Sequence, residues 1–231
     1  MENQTGLKPS KAKQPIANQI GLKQLKAKQY ETLEGMPEIF VNAFGELVMG
    51  FIMLVWGNSG NGKSNFLMQF VKALMAYGKV LYVSYEEGFG KSMQALVERH
   101  LDVEEHGDKI RFADHRMKFE ELKKLLSRRG SPQFIVIDSL QYLGINYDQY
   151  KQLKETFRKK TFLFISHAEG KHPKGQTAKD VRYDACIKVR IEGYLAFITS
   201  RFGGNRAYVI WEQGAKEYWG KDYEQMLKKR L

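Results

Sequence analysis

A chain of 231 residues, 43% of them apolar or aromatic and 27% charged, has the balance of a globular protein and room for one sizeable α/β domain, but not comfortably for two. Its single cysteine, Cys186, excludes an intrachain disulfide and any multi-cysteine metal site, and its longest apolar run, residues 47–56 interrupted by Gly50, falls far short of the roughly 20 residues that span a bilayer. The net charge of +11 points to a polyanionic partner, nucleic acid ahead of a membrane surface, although many basic proteins bind neither.

Residues 1–30 carry Lys8, Lys11, Lys13, Lys23, Lys26 and Lys28 against the single acid Glu2, which reads as a flexible basic arm: a contact for nucleic acid or a neighbouring subunit, or a solvated tail. No apolar stretch with a small-residue cleavage site lies there, so no secretory leader is expected and the compartment is read as cytoplasmic. The folded core is expected over residues 31–213, with a basic tail over 214–231. Residues 51–56 form a continuous apolar run ending in glycine, as a strand covered on both faces does. Phe66, Leu67, Phe70, Val71 and Leu74 then share one face of a helix that should stop near Gly78.

Further strands are expected at residues 80–84, 109–113, 134–138 and 161–166, with helices at 92–100, 119–128 and 147–157 between them. Such alternation requires crossover connections, hence an α/β fold with a largely parallel central sheet and helices on both faces. After a polar loop, residues 186–191, 194–199 and 207–211 lie close together around Gly193 and the Gly203–Gly204–Asn205 turn, and read as C-terminal antiparallel strands.

Gly57-Asn58-Ser59-Gly60-Asn61-Gly62-Lys63-Ser64 satisfies G-x-x-x-x-G-K-[ST], with Asn65 next in line. Glycines let the backbone curl so that successive N–H groups face phosphate oxygens, and the helix that follows adds the positive end of its dipole. Lys63 brings a cation to the β- and γ-phosphates, and the Ser64 hydroxyl is a ligand for Mg²⁺, so ATP and Mg²⁺ are the expected cofactors. Asp138 ends a buried strand where ligands bind in open sheets and can hold the metal through water, or simply cap a turn. Glu86, followed by Glu87, ends the second strand and can polarise the attacking water, or simply open a helix.

Val83-Ser84-Tyr85-Glu86-Glu87 and Val136-Ile137-Asp138-Ser139-Leu140-Gln141, taken with the phosphate loop, resemble the matching segments of RecA-like ATPases, the RadA/Sms branch in particular, whose core DnaB-type helicases share. The compact format is similar to that of short phage or mobile-element RecA-like ATPases. The resemblance implies that Glu86 activates water and that His167, after the strand Phe162-Leu163-Phe164-Ile165-Ser166, senses the γ-phosphate. Thr199-Ser200-Arg201-Phe202-Gly203 is similar to the Lys-Asn-Arg-Phe-Gly segment that reaches a neighbour's ATP site; Arg201 matches, while Thr199 stands where the family has lysine. It further implies single-stranded DNA binding by the loops after the strands at 134–138 and 161–166, here Lys171, Lys174, Lys179 and Arg182, with Tyr142 and Tyr147 from the earlier loop.

The expected function is thus a RecA-like ATPase that assembles into a ring or filament and couples hydrolysis to DNA in recombination, repair or replication. A DnaB-like helicase motor and a KaiC-like nucleotide-driven regulator that never touches DNA stand beside it.

Overall fold

The structure, a computed structural model, describes residues 19–229. The chain divides into two units, Met1–Tyr30 and Glu31–Leu231. Lys8, Lys11 and Lys13 of the expected arm lie outside the described residues. Within the first unit, Leu22–Lys26 forms a short helix, α1, that buries none of its side chains.

In the second unit α2 (Glu38–Phe44) lies between Pro37 and Gly45 and puts Phe40, Ala43 and Phe44 into the core. Then follow β1 (Ile52–Gly57), α3 (Lys63–Leu74), β2 (Val80–Ser84), α4 (Lys91–His100), α5 (Val103–His106), β3 (Ile110–Asp114), α6 (Phe119–Leu126) and β4 (Phe134–Asp138). After them come α7 (Leu140–Leu143), α8 (Tyr147–Thr156), β5 (Thr161–Glu169), β6 (His172–Pro173) and α9 (Gln176–Asp184). The chain closes with β7 (Ile187–Glu192), β8 (Leu195–Ser200), β9 (Tyr208–Val209), α10 (Glu212–Trp219), a 3-10 turn and α11 (Tyr223–Leu227).

The main sheet runs β3-β2-β4-β5-β1-β7-β8-β9, with β6 paired to the extended end of β5. Its members from β3 to β7 are parallel, and β8 and β9 add antiparallel. This is the expected fold class. Strand β1 lies four places from β3 in the sheet yet precedes it in the chain, so its carboxyl end opens on the crevice created where strand order reverses.

Both sheet faces are covered. On one, Met53, Val55, Val136 and Leu163 meet Phe40 and Phe44 of α2, Phe66 and Phe70 of α3, and Met93 and Leu96 of α4. On the other, Ile52, Leu54, Ile135 and Phe164 meet Leu122 of α6, Tyr150 and Leu153 of α8, and Val181 of α9. A fully buried side chain of this size is worth about 1.5–3 kcal/mol over an exposed one, so this two-layer filling is what fixes the strand ends in space.

Two segments differ from the sequence expectation. Residues 167–184, expected as a polar loop, form the end of β5, β6 and α9, because Ala168 and Glu169 pair with Pro173 and His172, and Ala178 and Val181 are buried against the sheet. Residues from 214, expected as a basic tail, continue α10 and form α11, where Ala215 and Tyr223 pack on Leu195 and Phe197 of β8. No helix among the described residues is long and apolar enough to cross a membrane.

Candidate functional site

Strand β1 delivers the chain into a loop that ends at Gly62, the N-cap of α3, in the left-handed region at φ 96°. A side chain there would be strained, and one at Gly57 would drive its Cβ to 2.3 Å from the Ile191 carbonyl oxygen. Asn61 holds the curl from within and without: its Nδ2 donates to the Ser59 carbonyl at 3.1 Å, and its Oδ1 accepts from the Gly193 amide at 2.7 Å. Gly193 and Tyr194, both at positive φ, make the tight two-residue turn between β7 and β8, so the loop is tied to that hairpin. Lys63 folds back over the loop and donates to the Asn58 carbonyl at 2.9 Å. Burial lowers its ammonium below the usual lysine value, and the negative charges of Asp138 and Glu86 work against that.

The loop borders a cavity of about 730 Å³ whose walls include Ser59, Gly60, Lys63, Ser64, Glu86 and Asp138. That volume is ample for a nucleotide. Asp138 comes from the end of β4 and is buried; Tyr82 donates to its Oδ2 at 2.9 Å. Burial pushes its carboxyl up to about 6, Glu86 and Glu87 adding to the effect while the Tyr82 hydrogen bond and Lys63 oppose it. A buried carboxylate held against its own preference favours a cation beside it. Among the described residues no three His, Cys, Asp or Glu side chains converge as a metal cage. The donors offered are the Ser64 hydroxyl and the Asp138 carboxylate, hard oxygens in the small number that suits Mg²⁺ completed by phosphate and water.

Glu86 lies two residues beyond β2, and its Oε2 is 3.3 Å from Nε2 of His167 on β5. The register explains the meeting, since His167 pairs with Gly57 and stands beside the start of the phosphate loop. Sequence reasoning therefore named two groups that the fold brings into contact.

No protein-family model matches the chain. It is 33% identical over 97 residues to the DNA repair protein RadA of Streptococcus pneumoniae, a match covering 42% of this chain and 22% of that protein. The chain thus matches about a fifth of the length of that curated relative. The crystal structure of the flagellar accessory protein FlaH from Methanocaldococcus jannaschii superposes with a TM-score of 0.58 at 15% identity, over 78% of this chain and 94% of FlaH. The chain has the RecA-like P-loop ATPase fold.

Not every expected site residue reaches the cavity of this RecA-like core. Arg201 follows β8 and its amide donates to the Cys186 carbonyl, whereas Gly57 pairs with Ile191. Five strand residues at about 3.3 Å each put it about 16 Å from its own phosphate loop. Lys171 and Lys174 are exposed, as is Tyr142, whose ring lies 6.1 Å from that of His167. Lys179 is engaged by Glu169 at 3.3 Å, and the Arg182 guanidinium turns back over the Trp56 ring at 5.3 Å.

Gln141 and Asn65 lie in segments that the sequence singled out, but their contacts were not expected from it, and Tyr194 and Trp211 carry no motif at all. Gln141 donates to the Ser166 hydroxyl at 2.9 Å and to the Lys174 carbonyl at 2.7 Å, while its Oε1 accepts from the His167 amide at 3.3 Å. It joins the segment after Asp138 to the end of β5 and to the backbone of the exposed Lys174. Asn65 accepts from Arg99 at 3.0 Å and meets His100 Nε2 at 2.9 Å. Tyr194 and Trp211, packed edge to face at 5.0 Å, wall the cavity beyond Gly62. The only hint of them in the sequence is their aromatic character next to turn residues.

Proposed function

We propose that this chain binds and hydrolyses ATP with Mg²⁺ in the cytoplasm, as a ring or filament of identical copies, and couples turnover to DNA. The observation that carries the reading is the convergence of Lys63, Ser64, Glu86 and Asp138 from three separate strand ends on one cavity, with His167 against Glu86. The loop amides from Gly57 to Asn65, curled around Asn58, Ser59, Gly60, Asn61 and Gly62, cradle the phosphates, and Lys63 leaves the Asn58 carbonyl to neutralise them. Ser64 and Asp138 would hold a magnesium ion, which would supply charge neutralisation at the phosphates.

Glu86 orients the attacking water and takes its proton as the water oxygen bonds to the γ-phosphorus and ADP departs. His167, in contact with Glu86, makes that carboxylate's position responsive to what fills the γ-phosphate site. Trp211, half exposed at 49%, offers an apolar ring face to the base. Arg201, too far to serve its own pocket, acts on the nucleotide of an adjoining copy.

DNA is the partner because of the +11 charge, the likeness to a DNA repair protein, and the exposed Lys171, Lys174 and Tyr142 beside Gln141, which links the Lys174 backbone to that of His167. A nucleotide-driven regulator is the second reading, favoured by the likeness to a flagellar accessory protein and by Lys179 and Arg182 being turned to partners within the chain. The deciding experiment is the ATPase rate across protein concentration, with and without single-stranded DNA. Stimulation by DNA supports the first reading, its absence supports the regulator, and processive unwinding would make the chain a helicase motor.

A further inference from the structure

Along β7, Ile187, Val189 and Ile191 enter the core, so Lys188, Arg190 and Glu192 project from the opposite face of the sheet. Arg190 is held by Glu192 and lies over the Phe197 ring. Lys188 has no ion pair among the described residues. It stands directly across from Thr199, with Arg201 two residues further on the same face. Such diagonal neighbours lie about 7–8 Å apart, close enough for their long side chains to reach one ligand.

Arg182 joins the group from α9, and its Nε is buried without a hydrogen-bond partner. The acid at this place, Asp184, is engaged by Lys154 at 2.6 Å and by the Tyr150 hydroxyl. Burial, then Arg201 and Arg182, hold the Lys188 ammonium below the usual lysine value. Lys188 and Arg201 therefore face a carboxylate that is already engaged, with Arg182 as a further like charge near Lys188, an arrangement that an anion would relieve.

Building on the assembly-dependent reading above, we propose that Lys188 acts beside Arg201 as a second cation on the terminal phosphates of a nucleotide held by a neighbouring copy of this chain. Its own pocket is out of reach, at the other end of β7. The pocket of a second copy is complementary in charge, since Glu86, Glu87 and Asp138 surround its Lys63. The platform is also rigid: the Ser200 hydroxyl donates to the Phe44 carbonyl at 2.6 Å, and the Ser200 amide donates to the Asn205 side chain at 2.6 Å. Rigid placement suits charge developing at one point better than it suits a pliable nucleic-acid strand. As the bond from the γ-phosphorus to the bridging oxygen breaks, negative charge grows on that oxygen; the Lys188 ammonium stabilises it without giving up a proton, and the water's proton goes to Glu86.

The test uses full-length Lys188→Met, Lys188→Arg and Arg201→Ala, each alone and each mixed with Lys63→Ala, which keeps both donated cations but lacks a working pocket. Lys188→Met should lose about 100-fold in turnover, on the scale of one lost transition-state donor, with nucleotide affinity held within about twofold. Lys188→Arg should keep more of the rate than the Met variant does. Mixing Lys188→Met with Lys63→Ala should restore turnover above the sum of the two alone. Turnover of Lys188→Met within about threefold of wild type overturns the assignment. So does failure of its mixture to recover while the Arg201→Ala mixture does, which leaves the assembly reading intact. If neither mixture recovers, donation between copies is itself wrong. Unchanged basal turnover with lost affinity for single-stranded DNA would give Lys188 to nucleic acid and also overturn the proposal.

Discussion

Replacing Asp138 by Asn removes a carboxylate that the folded protein holds at a disadvantage. Its value is raised from 3.8 to about 6, chiefly by burial, so between those values the folded state keeps a proton that the unfolded chain has released. Stability associated with this group is therefore greatest below pH 4, falls as pH rises to about 6, and stays low above it. At about 1.36 kcal/mol per pH unit the displacement amounts to about 3 kcal/mol. Asn keeps an oxygen that can accept the Tyr82 hydroxyl and carries no charge to desolvate. Without nucleotide or metal, Asp138→Asn should thus unfold later than wild type at pH 8, by up to about 3 kcal/mol, or roughly 6–12 °C in Tm for a chain of this size. At pH 4 the gain should vanish. Urea or thermal unfolding across pH measures this directly. A variant no more stable than wild type at pH 8, or a gain independent of pH, would refute the claim that Asp138 is ionised against its surroundings. The same variant should lose magnesium-dependent turnover, trading function for stability.

Lys63→Ala removes the cation that reaches the phosphates; nucleotide binding, followed by calorimetry, should weaken at least about tenfold, and unchanged affinity would count against the phosphate cradle. Glu86→Gln should still bind ATP but turn it over about 100-fold or more slowly, and near-normal single-turnover rates would move the base elsewhere. Arg201→Ala should bind nucleotide normally and lose the part of the rate that rises with protein concentration; a wild-type rate per chain that is independent of concentration would reject action between copies. Trp211→Ala should weaken nucleotide binding by about 1–3 kcal/mol if the ring stacks on the base, with turnover at saturation little changed.

The phosphate loop and its two acidic partners were legible because each rests on local rules: a glycine-rich turn between an apolar strand and an amphipathic helix, and acids ending buried strands. The parallel sheet was legible from alternation. Helix α9 escaped because only Ala178 and Val181 of its nine residues are buried, leaving a composition that reads as loop. Helix α10 carries Gly214 in its middle, which argues against a helix until Trp211 and Tyr194 are seen packed where a side chain would go. The contacts of Gln141 and the placement of Lys188 were invisible for another reason: side-chain hydrogen bonds to β5 make the one and pairing of β7 with β8 the other, and no spacing along the sequence encodes either.

The last strand of the sheet, β9, is only two residues long and gives way at once to α10. It pairs with Leu195 and Ala196 alone, so the strand itself offers only two residues of backbone on which a further copy could lengthen the sheet. In the assembly proposed above, copies that met at β9 would do so chiefly through side chains, contacts that open and close without unzipping a long backbone ladder.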